Sequence, residues 1–250
     1  MRVLVVVPAY NEEKSLPSLL DELRAVASGV RAQSKSHQKL EIAVVVIDDA
    51  SRDRTARVSR AGGARVVRLC RNLGIGGAVQ TGLRLAHREG FDCAVQMDGD
   101  GQHPPSELPK LLDAFTAEGC PDIVIGSRYL DRRGFQSTWA RRIGIQWLRL
   151  VLRVVVRLHT TDPTSGYRLY GPRALRLFAY SYPHDYPEPE ALVLAKAAGL
   201  RIAELPVVMR ERQGGASSIQ SLQAPYYMLK VTLAVVLAFV RSFGRVASNS

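Results

Sequence analysis

One alternation constrains this chain more than any other feature. Short β-branched, apolar runs are separated by longer stretches with helical spacing: Val3–Val7, Ile42–Ile47, Arg65–Leu69, Cys93–Met97 and Ile123–Gly126. Continuous apolar runs of this length suit strands buried on both faces. Between them, helices are expected near Lys14–Val30, Arg54–Ala61, Gly76–Arg88 and Leu108–Ala117, with the polar stretch Arg31–Lys39 as a surface loop. Strand and helix in turn give an α/β fold, a mostly parallel sheet flanked by helices. With 250 residues, 46% of them hydrophobic, the chain can bury a core as one domain.

In an open parallel sheet, ligands bind beyond the carboxyl ends of the strands. The polar residues and glycines of this chain collect there: "PAYNEE", "DDAS", "RNLGIGGA" and "DGDGQHPP" each follow a strand. Asp98 and Asp100, separated by Gly99, can turn carboxylate oxygens toward one hard cation. Mg²⁺ or Mn²⁺ bound in this way completes its shell with water and substrate phosphates. Asp48 or Asp49 can accept hydrogen bonds from a base imide or a ribose hydroxyl, while Ser51 or Asp53 suits the N-cap of the next helix. Gly74, Gly76 and Gly77 open a helix whose N-terminus favours anions, although their spacing is not a dinucleotide fingerprint.

Charge and cysteines narrow the classes. The chain carries 34 Lys+Arg against 23 Asp+Glu, a net charge of +11, which suits an anionic partner. Nucleic acid is not expected, because the arginines lie among aliphatics rather than interleaved with stacking aromatics. A nucleotidyltransferase would place a glycine-rich basic loop after the first strand, where "PAYNEE" stands. Cys70, Cys93 and Cys120 have no metal spacing and read as reduced thiols. The run Val3–Val7 is too short for a signal peptide, so a cytosolic catalytic body is expected.

As an ordered set, "VVVPAYNEE", "VIDDASRDRT", "NLGIGGAVQTGL", "VQMDGDGQHPP", "IVIGSRY", "DPTSGYRLY" and "RIAELPV" resemble the family-2 glycosyltransferases of the Rossmann-like GT-A fold. The likeness is greatest to the polyprenyl-phosphate sugar synthases, such as dolichyl-phosphate mannose synthase. It spans residues 1–219, leaving 220–250 as an apolar helix and tail. The resemblance implies a nucleotide-sugar donor lying against Pro8, Ala9, Tyr10, Glu12, Asp48, Asp49, Gly76, Asp98 and Gly99. It implies that Asp98, Asp100 and Gln102 hold Mg²⁺ or Mn²⁺ and the donor diphosphate, and that Arg128 faces phosphate oxygens. Ser218 stands where the family usually has a basic residue, and Arg210 and Arg212 are the nearby cations that could still meet a phosphate. The implied acceptor is a polyprenyl phosphate. The alternative is a hydroxyl of a lipid-linked or other glycan, which would need Asp162 or Glu190 as general base.

Two apolar segments bear on location. Residues 128–160 hold eight arginines and one acid. In an amphipathic helix over about 139–158, Arg149, Arg153 and Arg157 would share one face beside a broad apolar arc containing Trp147. Tyr226–Val240 is shorter than the ~20 apolar residues of a membrane span and is broken by Lys230. Both segments are expected to lie on an anionic membrane surface, making the protein peripheral on the cytoplasmic face. Association with a second copy or a membrane partner protein is the alternative for the C-terminal helix.

Overall fold

The computed structural model describes residues 1–33, 40–117, 119–131, 139–211 and 224–247. Seven strands form one sheet in the order β3-β2-β1-β4-β6-β5-β7. They are β1 (Arg2–Ala9), β2 (Glu41–Asp48), β3 (Arg65–Arg68), β4 (Cys93–Gln96), β5 (Ile123–Ser127), β6 (Arg168–Tyr170) and β7 (Ile202–Pro206). The helices are α1 (Leu16–Gln33), α2 (Thr55–Ala61), α3 (Gly74–Arg88), α4 (Leu108–Thr116), α5 (Trp139–Val156), α6 (Pro172–Phe178), α7 (Pro187–Ala197) and α8 (Ala224–Ala247). The five expected strands and four expected helices all form close to their expected bounds. Arg31 to Gln33 belong to the last turn of α1 rather than to a loop; residues 34–39 lie outside the described part.

Period-2 alternation divides the strands between two cores. Val3, Val5 and Val7 face α1 and α4, together with Leu16, Leu20, Leu108 and Leu111. Leu4 and Val6 face the other layer, where α3, α5, α6, α7 and α8 contribute Leu83, Leu152, Phe178, Leu192 and Val235. Burial of each such side chain contributes about 1.5–3 kcal/mol. Because Val231, Val235 and Ala238 join that core, α8 packs onto the sheet domain rather than standing apart from it.

One strand reverses direction. β6 runs antiparallel to both β4 and β5, whereas β1, β2, β3, β4, β5 and β7 share one direction. The residues entering β6, Asp162 to Tyr167, therefore reach the same rim as the carboxyl ends of the other strands. This reversal brings "DPTSGYR" beside "GSR".

Helix α5 departs from expectation at its end. Arg157 lies beyond the helix with φ 54°, a left-handed conformation, and so leaves the face of Arg149 and Arg153. Among the described residues, no helix is long and apolar enough to cross a membrane.

Candidate active site

At the β1 and β2 ends, short loops are fixed by local side-chain acceptors. The Asn11 N–H donates to Ser51 Oγ, the Glu12 N–H to Thr55 Oγ1 and the Arg52 N–H to Asn11 Oδ1. Pro8 and Ala9 are buried; their carbonyls accept from the Gly99 and Asp49 N–H groups. A Cβ at Gly99 would meet Pro8 O at 3.1 Å and Ala9 Cβ at 3.2 Å, so any larger residue would push the two loops apart by a few tenths of an ångström. Tyr10 remains 43% exposed at the mouth, and Glu12 is buried against the Ser15 hydroxyl. Asn11 and Ala50 both adopt positive φ, backbone strain of the kind that clusters at ligand sites.

The adjacent carboxylates Asp48 and Asp49 play different parts. Asp49 accepts from the Leu73 and Gly74 N–H groups at 2.7 and 2.9 Å and so fills the N-terminus of α3 itself. The helix end expected to favour a bound anion thus already holds an anion of the chain. Gly76 likewise meets protein: a Cβ there would lie 2.4 Å from Pro183 O. Asp48 is fully buried; its Oδ1 accepts from the Ser51 N–H, while Oδ2 accepts no hydrogen bond. Arg68 Nε stands 3.3 Å from Oδ2, at ion-pair distance but without hydrogen-bond geometry. A buried carboxylate oxygen without a donor is costly unless a ligand supplies one. The N-cap position of α2 is Arg54, which makes no side-chain cap bond, rather than Ser51 or Asp53; Asp53, one residue earlier, accepts from the Thr55 N–H.

The turn after β4 presents the acidic pair. The Asp98 side chain is 29% exposed, and Asp100 Oδ1 accepts from the Gln102 N–H at 3.0 Å. The Gln102 carbonyl accepts from the Arg210 N–H. Below them lies His103, to which the sequence motifs assigned no role. Its Nδ1 accepts from the Asp98 N–H at 3.0 Å, and its ring stacks on Tyr167 with centroids 4.9 Å apart. Burial pushes the imidazole down to about 4, which keeps it a neutral acceptor. Among the described residues, no cluster of three His, Cys, Asp or Glu side chains could by itself hold a metal. Two carboxylates and an amide nevertheless match the hard-oxygen chemistry of Mg²⁺ or Mn²⁺, whose remaining ligands come from water and substrate phosphate.

Beyond β5, Arg128 and Asp162 form a buried bidentate pair. Nε donates to Asp162 Oδ2 at 2.7 Å, Nη2 to Oδ1 at 2.8 Å, and the Arg128 N–H also reaches Oδ2. Asp98 lies close enough to act on the guanidinium, and Asp162 more strongly still holds its proton. Arg128 is therefore neither a surface residue nor the partner of exposed Asp131, and Asp162 does more than cap a turn. A carboxylate gripped in this way is a poor general base.

Glu190 is also engaged locally, because its Oε1 accepts from the Tyr186 N–H at 3.0 Å at the start of α7. Half-burial pushes its carboxyl up from the ordinary value. Arg210 pairs with Glu22 at 2.8 Å. Arg212 and Ser218 lie outside the described residues. Glu204, a charged residue within an apolar strand, was the overlooked sign of a buried polar centre.

Two carboxylates on the turn after a central strand, at the carboxyl ends of a mostly parallel α/β sheet, suit an enzyme that handles a nucleotide-sugar through a divalent cation. The chain belongs to glycosyl transferase family 2, whose family model matches residues 4–178. It is 34% identical over 233 residues to the undecaprenyl-phosphate mannosyltransferase of Micrococcus luteus, covering 88% of each chain. It is 29% identical to the polyprenol monophosphomannose synthase of Mycolicibacterium smegmatis, covering 92% of this chain and 85% of that one. Among solved structures, mannosyl-3-phosphoglycerate synthase from Rubrobacter xylanophilus superposes with TM-score 0.73 at 20% identity, covering 98% and 75% of the two chains. Glucosyl-3-phosphoglycerate synthase from Mycobacterium tuberculosis, solved with Mn²⁺, UDP-glucose and phosphoglyceric acid, gives 0.66 at 22% identity, covering 97% and 80%. At these identities the two structures speak for the fold.

Proposed function

We propose that this glycosyltransferase moves a sugar from a nucleotide-sugar donor to a polyprenyl phosphate, in one inverting displacement, at the cytosolic face of a membrane. The observation that carries the choice of acceptor is the state of the two candidate bases. Asp162 gives both oxygens to Arg128, and Glu190 gives one oxygen to the Tyr186 N–H at the start of α7. A hydroxyl acceptor needs a base, whereas a phosphate arrives ionised. The polyprenyl-phosphate names of the relatives support the same acceptor.

In this reading the nucleotide lies against Pro8, Ala9, Tyr10 and Glu12, and Asp48 Oδ2 accepts from the base or ribose. Asp98, Asp100 and Gln102 hold Mg²⁺ or Mn²⁺ against the diphosphate. A divalent cation there neutralises charge on the leaving group. The acceptor oxygen forms its bond to the anomeric carbon as the nucleoside diphosphate departs from the opposite face with the electron pair. Arg128, fixed by Asp162, and Arg212 offer positive charge to phosphate oxygens; a planar guanidinium suits that contact.

Membrane attachment rests on α5 and α8. Exposed Ile143, Trp147, Leu150 and Val154 on α5 lie beside exposed Leu229, Leu233, Leu237 and Val240 on α8, and Trp147 Nε1 donates to Thr232 Oγ1 between them. Neither helix contains an acid. A second copy would set cation against cation, so an anionic lipid surface is the better occupant. Arg142, Arg153, Lys230 and Arg241 are exposed for it; Arg149 is half-buried on Thr160 O. Unpaired Cys70, Cys93 and Cys120 suit a reducing compartment.

The test is a panel of UDP-, GDP- and dTDP-sugars with Mn²⁺ or Mg²⁺, with and without polyprenyl phosphate in anionic vesicles. Nucleoside diphosphate release that rises sharply with the lipid phosphate supports the proposal. Release indifferent to it moves the acceptor to a glycan hydroxyl, with Glu190 as the remaining candidate base.

A further inference from the structure

We propose that Glu204 is a positioning residue of the transfer centre, fixing Arg128 through the turn at residues 160–162. The inference rests on the reading that Arg128 faces phosphate. Glu204 sits in β7 opposite Ile125, three residues before Arg128. Its carboxylate gathers donors from a different part of the chain. Thr160 Oγ1 donates to Oε1; the Thr161 N–H lies 3.0 and 2.8 Å from the two oxygens. Thr161 Oγ1 donates to Oε2 at 2.8 Å, and the Asp162 N–H reaches Oε1 at 3.3 Å. These donors use the roughly four lone-pair positions of a carboxylate.

The consequence runs along two arms to the same residue. Thr161 gives its hydroxyl proton to Glu204, so across the 2.6 Å contact between the two hydroxyls Ser127 is the donor. Ser127 Oγ in turn accepts from the Tyr129 N–H, which ties the backbone on both sides of Arg128. On the other arm, the turn fixed by Glu204 presents the Asp162 carboxylate to the Arg128 N–H and guanidinium. Arg149 closes the turn from α5 by donating to Thr160 O at 3.1 Å. Edge-strand stability does not require a carboxylate bonded to a segment more than forty residues away. Catalytic groups do need placement within about half an ångström.

The experiment is a double-mutant cycle of Glu204→Gln and Arg128→Lys. It is read by kcat and KM for transfer, by calorimetric Kd for the nucleoside diphosphate with Mn²⁺, and by hydrogen exchange of the Arg128 and Tyr129 amides. Glu204→Gln is expected to lower kcat about tenfold, within the cost of a sub-ångström misplacement, and to speed exchange at both amides. Nucleotide Kd should change less than twofold, and Glu204→Asp should recover part of kcat. In the Arg128→Lys background the same substitution should change kcat less than twofold. Losses that multiply across the two backgrounds would overturn the proposal, as would unchanged exchange at Arg128. Exchange needs no turnover, so an inactive wild-type enzyme would sink the functional reading while leaving this one measurable.

Discussion

At the β1–β2–β4 end of the rim, Asp48 and Asp100 accept from backbone N–H groups two or three residues away, of Ser51 and Gln102, and Asp49 from those of Leu73 and Gly74. At the β5–β6–β7 end, Asp162 and Glu204 are held by groups 34 to 44 residues distant. The first arrangement gives one oxygen of Asp48 a hydrogen bond and leaves the other with only the Arg68 ion pair. The second satisfies its charges internally and presents a fixed cation. In the proposed reading the first end receives the donor and its metal, and the second holds a guanidinium still.

The largest effect expected lies at the first end. Asp98→Asn should cost roughly 10³-fold in kcat, about 4 kcal/mol of barrier, with little change in melting temperature because the side chain is partly exposed. Steady-state turnover with saturating donor measures it. Near-wild-type turnover would remove Asp98 from the metal and collapse the distinction between the two ends.

At the second end the expected damage is to folding. Asp162→Ala leaves Arg128 buried without its carboxylate, and breaking such a pair costs about 3–5 kcal/mol. Urea unfolding should show a lower midpoint at constant slope, with slope times shift equal to about 3–5 kcal/mol. A shift near zero would mean that the pair is open to water and that Arg128 is not rigidly held.

Asp48 and Asp49 repeat the contrast between neighbours. Asp48→Asn keeps the Ser51 bond but loses the open acceptor, so donor affinity should fall roughly tenfold, since a hydrogen bond to a charged group is worth about 1.5–3 kcal/mol. Asp49→Ala removes the acceptor at the α3 N-terminus and should cost about 1 kcal/mol of stability. Titration calorimetry with nucleoside diphosphate and urea unfolding of both variants separate the two roles. Loss of affinity in Asp49→Ala alone would reverse the assignment.

The same divide explains how much could be read in the sequence. Strands β1 to β5, helices α1 to α4 and the acidic turn were legible because each motif follows its own strand, so position along the chain predicts position on the rim. The split between Asp48 and Asp49 was not, since both are acids at one strand end and only the path of Leu73 and Gly74 decides between them. Arg128 was read as a phosphate contact but its partner was missed. That pairing depends on β6 running backwards, and three residues carry no periodicity that would announce the reversal. Arg157 was placed on a helical face that ends one residue before it, because nothing local, neither glycine nor proline, marks that stop.

The smallest expected effect decides between acceptors. Glu190 is half-buried, and desolvation raises its carboxyl above the ordinary 4.5 despite the bond from the Tyr186 N–H. Between pH 4.5 and the raised value the folded protein binds more protons than the unfolded chain, so stability falls as pH rises through that window. Glu190→Gln should flatten this part of the stability profile, since a neutral amide accepts the same bond without titrating. With polyprenyl phosphate as acceptor, the variant should keep kcat within about threefold and leave the pH–rate profile unchanged, because no proton need be removed. A loss of 10²-fold or more, within the range of a missing general base, would make Glu190 the base. Transfer to the lipid phosphate would then need a proton acceptor after all, contributed by α7, and the ionised state of the phosphate would no longer favour it over a hydroxyl.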